Sequence, residues 1–140
     1  MPIALEIVSP ERLLLSRSVD MVVIPAAEGD MGVLEGHTPM IVTLQGGQIT
    51  LYDGETVAER LFVVGGFAEI TADRCTVLAN EALPVADLSK DDADRRLQEA
   101  EAEYNELHGA DIEEQLLALD RVHAARSMVE SAEMLLTGSR

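Results

Sequence analysis

The chain has 140 residues and a formal net charge of −16, with 26 acidic against 10 basic side chains. This imbalance excludes nucleic acid and anionic lipid as direct partners, because both attract clustered Lys and Arg. Aliphatic side chains must fill the interior, since aromatic residues make up only 3% of the chain. The length allows one domain with a small appendage. The sequence contains no targeting signal and no apolar span of membrane length.

The first 86 residues alternate short runs of β-branched and aliphatic residues with turn residues, which predicts an all-β domain. Asp53 and Gly54 lie between two such runs and indicate a hairpin. Gly65 and Gly66 precede another run and indicate a bend or bulge. We expect nine or ten strands folded as an antiparallel β-sandwich or flattened barrel over residues 1–86.

Residues 29–40, with the sequence GDMGVLEGHTPM, contain three glycines and a proline. The glycines allow backbone dihedrals closed to other residues, and Pro39 ends strand pairing. The pattern predicts an exposed, tightly turned segment in which Met31, Val33 and Leu34 form one short buried strand.

Beyond residue 87, apolar residues recur at steps of three and four among charged residues, which predicts an antiparallel helical hairpin over residues 87–140. Ser89 is the predicted N-cap of the first helix, and His108 with Gly109 is its predicted end. The second helix is expected from near Asp111 to about Leu136. Its expected apolar face comprises Leu116, Leu119, His123, Met128, Ala132 and Leu135.

The residue pattern does not support catalysis. Asp30, Glu35 and His37 share one segment, but neither a nucleophile nor a phosphate-binding glycine loop accompanies them. The histidines lack the spacing of metal ligands. Cys75, the single cysteine, is interpreted as structural, because a reactive thiol needs a basic group held beside it. We expect a non-catalytic protein without a metal site.

Three segments carry a family resemblance: residues 29–40, residues 64–70 (VGGFAEI) and residues 76–82 (TVLANEA). With the charged helical tail, they resemble the epsilon subunits of bacterial F-type ATP synthases over nearly the whole chain. The resemblance implies a non-catalytic central-stalk subunit of a proton-translocating rotary motor. It implies contacts with the gamma subunit and the c-ring, and a peripheral position on the cytoplasmic face of the bacterial inner membrane.

The family pattern G-x-x-G-x-x-x-G-H-x-P lies in the segment that faces the polar loops of the c-ring. The chain matches it at five positions, which are Gly29, Gly32, Gly36, His37 and Pro39. The resemblance implies that the c-ring contacts are made by Asp30, Met31, Glu35 and His37. Glu35 stands where many members have proline, so the segment is expected to be more acidic and less rigid than usual.

The resemblance also implies a regulatory hairpin, which in the family can fold down on the β domain or extend along the central gamma shaft toward the catalytic alpha and beta subunits. Some members bind ATP through Ile or Leu, Asp, two variable residues, Arg and Ala. The matching residues here are Leu119, Asp120, His123 and Ala124, with Arg126 nearby. His123 replaces the arginine, and a neutral imidazole is a poor substitute for a guanidinium beside phosphates. The second helix is acidic, so we expect only weak inhibition of ATP hydrolysis.

The sequence also allows a second hypothesis. The chain could be a stand-alone β-sandwich that binds a small ligand, with the acidic helices as a lid. The two readings differ in partner dependence, because a rotor subunit requires a complex with gamma whereas a ligand module gains thermal stability from a small molecule.

Overall fold

The computed structural model describes residues 2–107 and 109–137, which contain ten strands followed by two helices. The strands are β1 (Ile3–Val8), β2 (Leu13–Val19), β3 (Met21–Ala26), β4 (Gly29–Val33), β5 (Met40–Leu44), β6 (Gly47–Asp53), β7 (Thr56–Val63), β8 (Gly66–Ile70), β9 (Arg74–Ala79) and β10 (Ala82–Pro84). A 3-10 turn at Val85–Asp87 leads to helices α1 (Lys90–Glu106) and α2 (Ile112–Thr137).

The strands form one continuous sheet in the order β10-β7-β6-β3-β5-β8-β9-β1-β2, with β4 paired to β3. Strands β1 and β9 are parallel, and the other described pairs are antiparallel. The sheet curls until β2 approaches β6, where Arg17 Nη2 donates to Asp53 Oδ2 at 2.7 Å. The predicted ten-stranded sandwich or flattened barrel with a helical hairpin is thereby confirmed.

Aliphatic side chains fill the interior of the sheet, because alternate residues of each strand point inward. On β1, for example, Ile3, Leu5 and Ile7 are fully buried while the residues between them are half-buried. Cys75 of β9 lies in the same core. Burial raises the pKa of its thiol to about 11, so Cys75 packs as a small apolar side chain.

Ser89 is the N-cap of helix α1, and its Oγ accepts a hydrogen bond from the backbone N–H of Asp92 at 3.3 Å. The predicted end at His108 lies outside the described residues, while Gly109 has a φ of +87°. In the described part of the chain, neither helix is long and apolar enough to cross a membrane.

The expected buried face of α2 is partly wrong. Leu116, His123 and Leu135 are exposed, and the contact with α1 is made instead by a cluster of Ala100, Val122 and Ala125. Small side chains let the two helices approach closely, which leaves the larger leucines on the outside.

The hairpin docks on the β domain through a second apolar cluster centred on Phe62 of β7. The buried members from the tail are Leu88, Ala93, Met128, Val129 and Ala132. Two close contacts accompany the cluster: Gln48 Nε2 donates to Ser131 Oγ at 2.9 Å, and a Cβ atom at Gly46 would stand 2.6 Å from the Cα of Ala124. The absence of a side chain at Gly46 therefore lets α2 lie directly on the sheet.

Candidate interaction sites

The predicted c-ring residues are distributed along β4 and the connection that follows it. Asp30 is exposed near the start of β4, opposite Pro25, whereas Glu35 and His37 lie beyond its end. Val33 is three residue steps along β4 from Asp30, a distance of about 10 Å. A single partner must therefore span β4 to contact both ends.

Two other residues of this segment, Met31 and Leu34, differ in how far they are buried. Met31 is half-buried and packs against the core, while Leu34, expected to be buried, is 54% exposed. The connection itself is held to the domain, since Gly36 N donates to Ala72 O at 2.6 Å. The Nδ1 atom of His37 lies 2.8 Å from Thr38 O. The buried-strand expectation thus holds for Val33 and is wrong for Leu34.

An apolar row crosses the outer face of the sheet. Phe67 of β8 lies opposite Leu78 of β9, which lies opposite Val8 of β1, and Val8 is paired with Leu13 of β2. Phe67, Leu78 and Leu13 are each more than half exposed. These four residues, here called the outer apolar row, span about 14 Å across four strands. Aligned exposed apolar side chains of this kind mark an interaction surface.

The outer apolar row was not among the features predicted from the sequence. Strand alternation predicts the exposure of its residues one by one, because successive side chains of a strand point to opposite faces. Ala68 and Val77 are buried, so their neighbours Phe67 and Leu78 point outward. The alignment of residues from four different strands becomes visible only with the strand register.

A cleft of about 810 Å³ lies between α2 and the sheet. Its sheet side includes Phe67 and Asn80, and its helix side includes Leu117, Asp120 and His123. Of the residues matched to the nucleotide pattern, Asp120, His123 and Ala124 line this cleft, whereas Leu119 and Arg126 do not.

The cations of the hairpin are already paired with carboxylates. Among the residues that the structure describes, every Lys and Arg of α1 and α2 has such a partner; the pairs are Lys90–Asp94, Arg95–Asp92, Arg96–Glu81, Arg121–Glu103 and Arg126–Glu101. A phosphate group would share each of these cations with a carboxylate that is already paired with it. The geometry therefore disfavours a nucleotide site on the hairpin.

The Arg96–Glu81 pair joins the hairpin to the β domain in a bidentate geometry. Arg96 Nη1 donates to Glu81 Oε1 at 2.9 Å, and Arg96 Nη2 donates to Glu81 Oε2 at 2.7 Å. The hydrogen bonds from Arg96 lower the pKa of Glu81. Since both side chains are more than 40% exposed, the pair contributes about 1 kcal/mol at most.

Replacing Glu81 with glutamine is expected to lower the melting temperature by about 3 °C at neutral pH. Because the folded-state pKa is lowered, the contribution of the pair is complete above the ordinary carboxyl pKa of 4.5 and is lost as the pH falls below it. The difference between the parent protein and Glu81→Gln should therefore shrink toward pH 3, as measured by thermal unfolding. Glu106→Gln, which alters an exposed carboxylate of α1 outside the described ion pairs, is the control. A difference that stays constant over this pH range would contradict the assignment.

A β-sandwich with an exposed apolar row and a docked helical hairpin has the features of a small protein that binds other proteins. Residues 2–85 match the family model for the ATP synthase delta/epsilon chain β-sandwich domain. An ATP synthase epsilon chain of Granulibacter bethesdensis is 60% identical over 129 residues, which cover 92% of this chain and 96% of that protein. The chain therefore belongs to the ATP synthase delta/epsilon family, whose members are non-catalytic central-stalk subunits.

Other similarities agree with this assignment. An epsilon chain of Gluconacetobacter diazotrophicus is 42% identical over 132 residues, 94% of each chain. A chain of the Euglena gracilis mitochondrial ATP synthase superposes with a TM-score of 0.73 at 22% identity, covering 93% of this chain and 81% of that one. A chain of the Tetrahymena thermophila central stalk and c-ring gives a TM-score of 0.69 at 10% identity, covering 94% and 97%. At these identities, the two structures show a shared fold.

The family membership decides between the two readings of the sequence. The prediction of a non-catalytic rotor subunit of ATP synthase is confirmed. The stand-alone ligand module with a helical lid is not supported.

Proposed function

We propose that this chain links the gamma subunit to the c-ring at the cytoplasmic face of the bacterial inner membrane. In this proposal residues 1–86 hold both partners, and residues 87–140 form a regulatory tail. The observation that carries it is the outer apolar row, because a sandwich that worked alone would have polar residues at those positions.

Gamma is the proposed partner of the outer apolar row. Phe67 and Leu78 lie opposite each other and are each about half exposed, so one partner surface can bury both. Side chains that act as hot spots at the centre of an interface contribute about 2 kcal/mol or more when truncated.

The c-ring is the proposed partner of β4 and the connection after it. Asp30 and Glu35 are exposed carboxylates at the two ends of this segment, suited to basic polar loops. His37 is half-buried, and Met31 anchors β4 to the core. Met31 thus contributes by positioning Asp30.

The tail is proposed as a weak regulator of ATP hydrolysis. Between residues 111 and 136 the chain has six acidic and two basic side chains. An extended α2 would present a negative surface to the catalytic alpha and beta subunits. Because that surface does not attract acidic segments of those subunits, electrostatics would not hold α2 in the extended position.

Two substitutions test the partner assignments separately, the first by binding to purified gamma and the second by proton pumping in the assembled complex. Leu78→Asp places a charge in the outer apolar row and is expected to weaken binding to purified gamma by about 30-fold or more. Asp30→Lys is expected to leave gamma binding unchanged and to reduce ATP-driven proton pumping at low salt, because it puts a cation opposite basic loops. Ile112→Asp makes the same chemical change as Leu78→Asp at a residue of α2 that is 64% exposed, and serves as the control.

The outcomes separate the two contacts. Gamma binding that is equally strong for Leu78→Asp and Ile112→Asp would contradict the gamma assignment. Normal pumping and subunit retention in Asp30→Lys would contradict the c-ring assignment. Circular dichroism should show all three variants folded, since each residue is exposed.

A further inference from the structure

We propose that Glu69 of β8 binds a Lys or Arg side chain of gamma, and that this ion pair fixes the register of gamma on the outer face of the sheet. The inference rests on the proposed contact of gamma with the outer apolar row. It adds one charged residue of the β domain that decides which partner surface can cover the row.

Glu69 lies beside the outer apolar row on the same face of the sheet. It is paired with Ile41 of β5 on one side and with Thr76 of β9 on the other. Phe67, a member of the row, is two residues away along β8, at a distance of about 7 Å. Ile41 is 69% exposed, so apolar side chains flank the carboxylate in two directions. An exposed charge therefore stands within an otherwise apolar surface.

The carboxylate of Glu69 is available to a partner. Within residues 2–107 and 109–137, its side chain forms no hydrogen bond and no ion pair. Glu6 of β1, which lies opposite Thr76 on the far side, is different because Arg74 Nη1 donates to its Oε1 at 2.7 Å. Of these two carboxylates on the outer face, the one nearer to Phe67 is thus the unpaired one.

The size of a protein interface brings Glu69 into the gamma contact. A stable interface buries about 800 Å² on each partner, so gamma seated on Phe67 and Leu78 also covers a residue about 7 Å away. A carboxylate that loses water without gaining a partner opposes binding, whereas a paired one rejects misaligned surfaces. The net charge of −16 favours a cation over a neutral donor as that partner. Gamma must therefore place a Lys or Arg opposite Glu69.

Binding of purified gamma to three variants of the full chain provides the test. Glu69→Gln keeps the shape of the side chain and removes its charge, so binding should weaken about tenfold. Glu69→Lys places a cation opposite the cation of gamma, so binding should weaken about 100-fold or more. Glu55→Lys makes the same change at an exposed carboxylate between β6 and β7, and is the control. Because salt screens a charge outside the interface, its binding should stay within about threefold of the parent protein.

Other outcomes would overturn the inference in distinguishable ways. Equal gamma binding by Glu69→Lys and Glu55→Lys, with Leu78→Asp still impaired, would leave gamma on the apolar row and remove Glu69 from the contact. If Leu78→Asp also binds normally, the gamma assignment itself fails. Tighter binding of Glu69→Gln than of the parent protein would show a carboxylate buried without a cation. Normal gamma binding by Glu69→Lys combined with poor proton pumping in the assembled complex would assign Glu69 to the c-ring instead.

Discussion

Replacing Gly66 with alanine is expected to destabilise the β domain by about 3 kcal/mol or more. Gly66 begins β8 with a φ of +133°, which L side chains rarely adopt. A Cβ atom there would also stand 2.1 Å from the carbonyl oxygen of Leu78. The substitution therefore combines backbone strain with a clash against the neighbouring strand. Equilibrium urea unfolding measures the loss.

Gly54 supplies a matched control. It also has a positive φ, at +63°, but a Cβ atom there would have no heavy atom within 4 Å beyond Gly54 itself and its two chain neighbours. Gly54→Ala should therefore show the backbone strain alone, at about 1 kcal/mol. If Gly66→Ala lost no more stability than Gly54→Ala, the close approach of β8 and β9 would not be a determinant of the fold.

Replacing Phe62 with alanine is expected to release the helical hairpin while the β domain stays folded. Phe62 is fully buried, and its side chain lies in the cluster with Met128 and Val129 of α2 rather than in the β core. Truncating a buried phenylalanine costs about 3 to 5 kcal/mol. Two helices alone bury too little apolar surface to compensate for this loss.

Hydrogen exchange distinguishes release of the hairpin from general unfolding. Amides of α2 should lose protection in Phe62→Ala, while those of β1 and β9 keep it. Val63→Ala is the control, because Val63 points into the β core and its truncation should weaken the strands. Retained protection in α2 of Phe62→Ala would show that the hairpin is held elsewhere.

The sequence by itself determined the class of fold and the family. Period-two alternation and turn pairs such as Asp53-Gly54 predicted the strands, because a half-buried strand must alternate. Ser89 predicted the start of α1 for an equally local reason, since its hydroxyl satisfies a backbone N–H within one turn. These features depend only on neighbours in the chain, so they can be predicted without knowledge of the fold.

The tertiary structure decided which faces are buried and which remain available. Helical spacing placed Leu116 on the expected apolar face of α2, but α2 packs through small residues, and Gly46 opposite Ala124 fixes how closely it lies on the sheet. The outer apolar row likewise depends on the register of four strands that are distant in the chain, with Phe67 and Leu78 opposite each other. Such contacts arise from close packing between separate elements, whose relative positions local patterns do not specify.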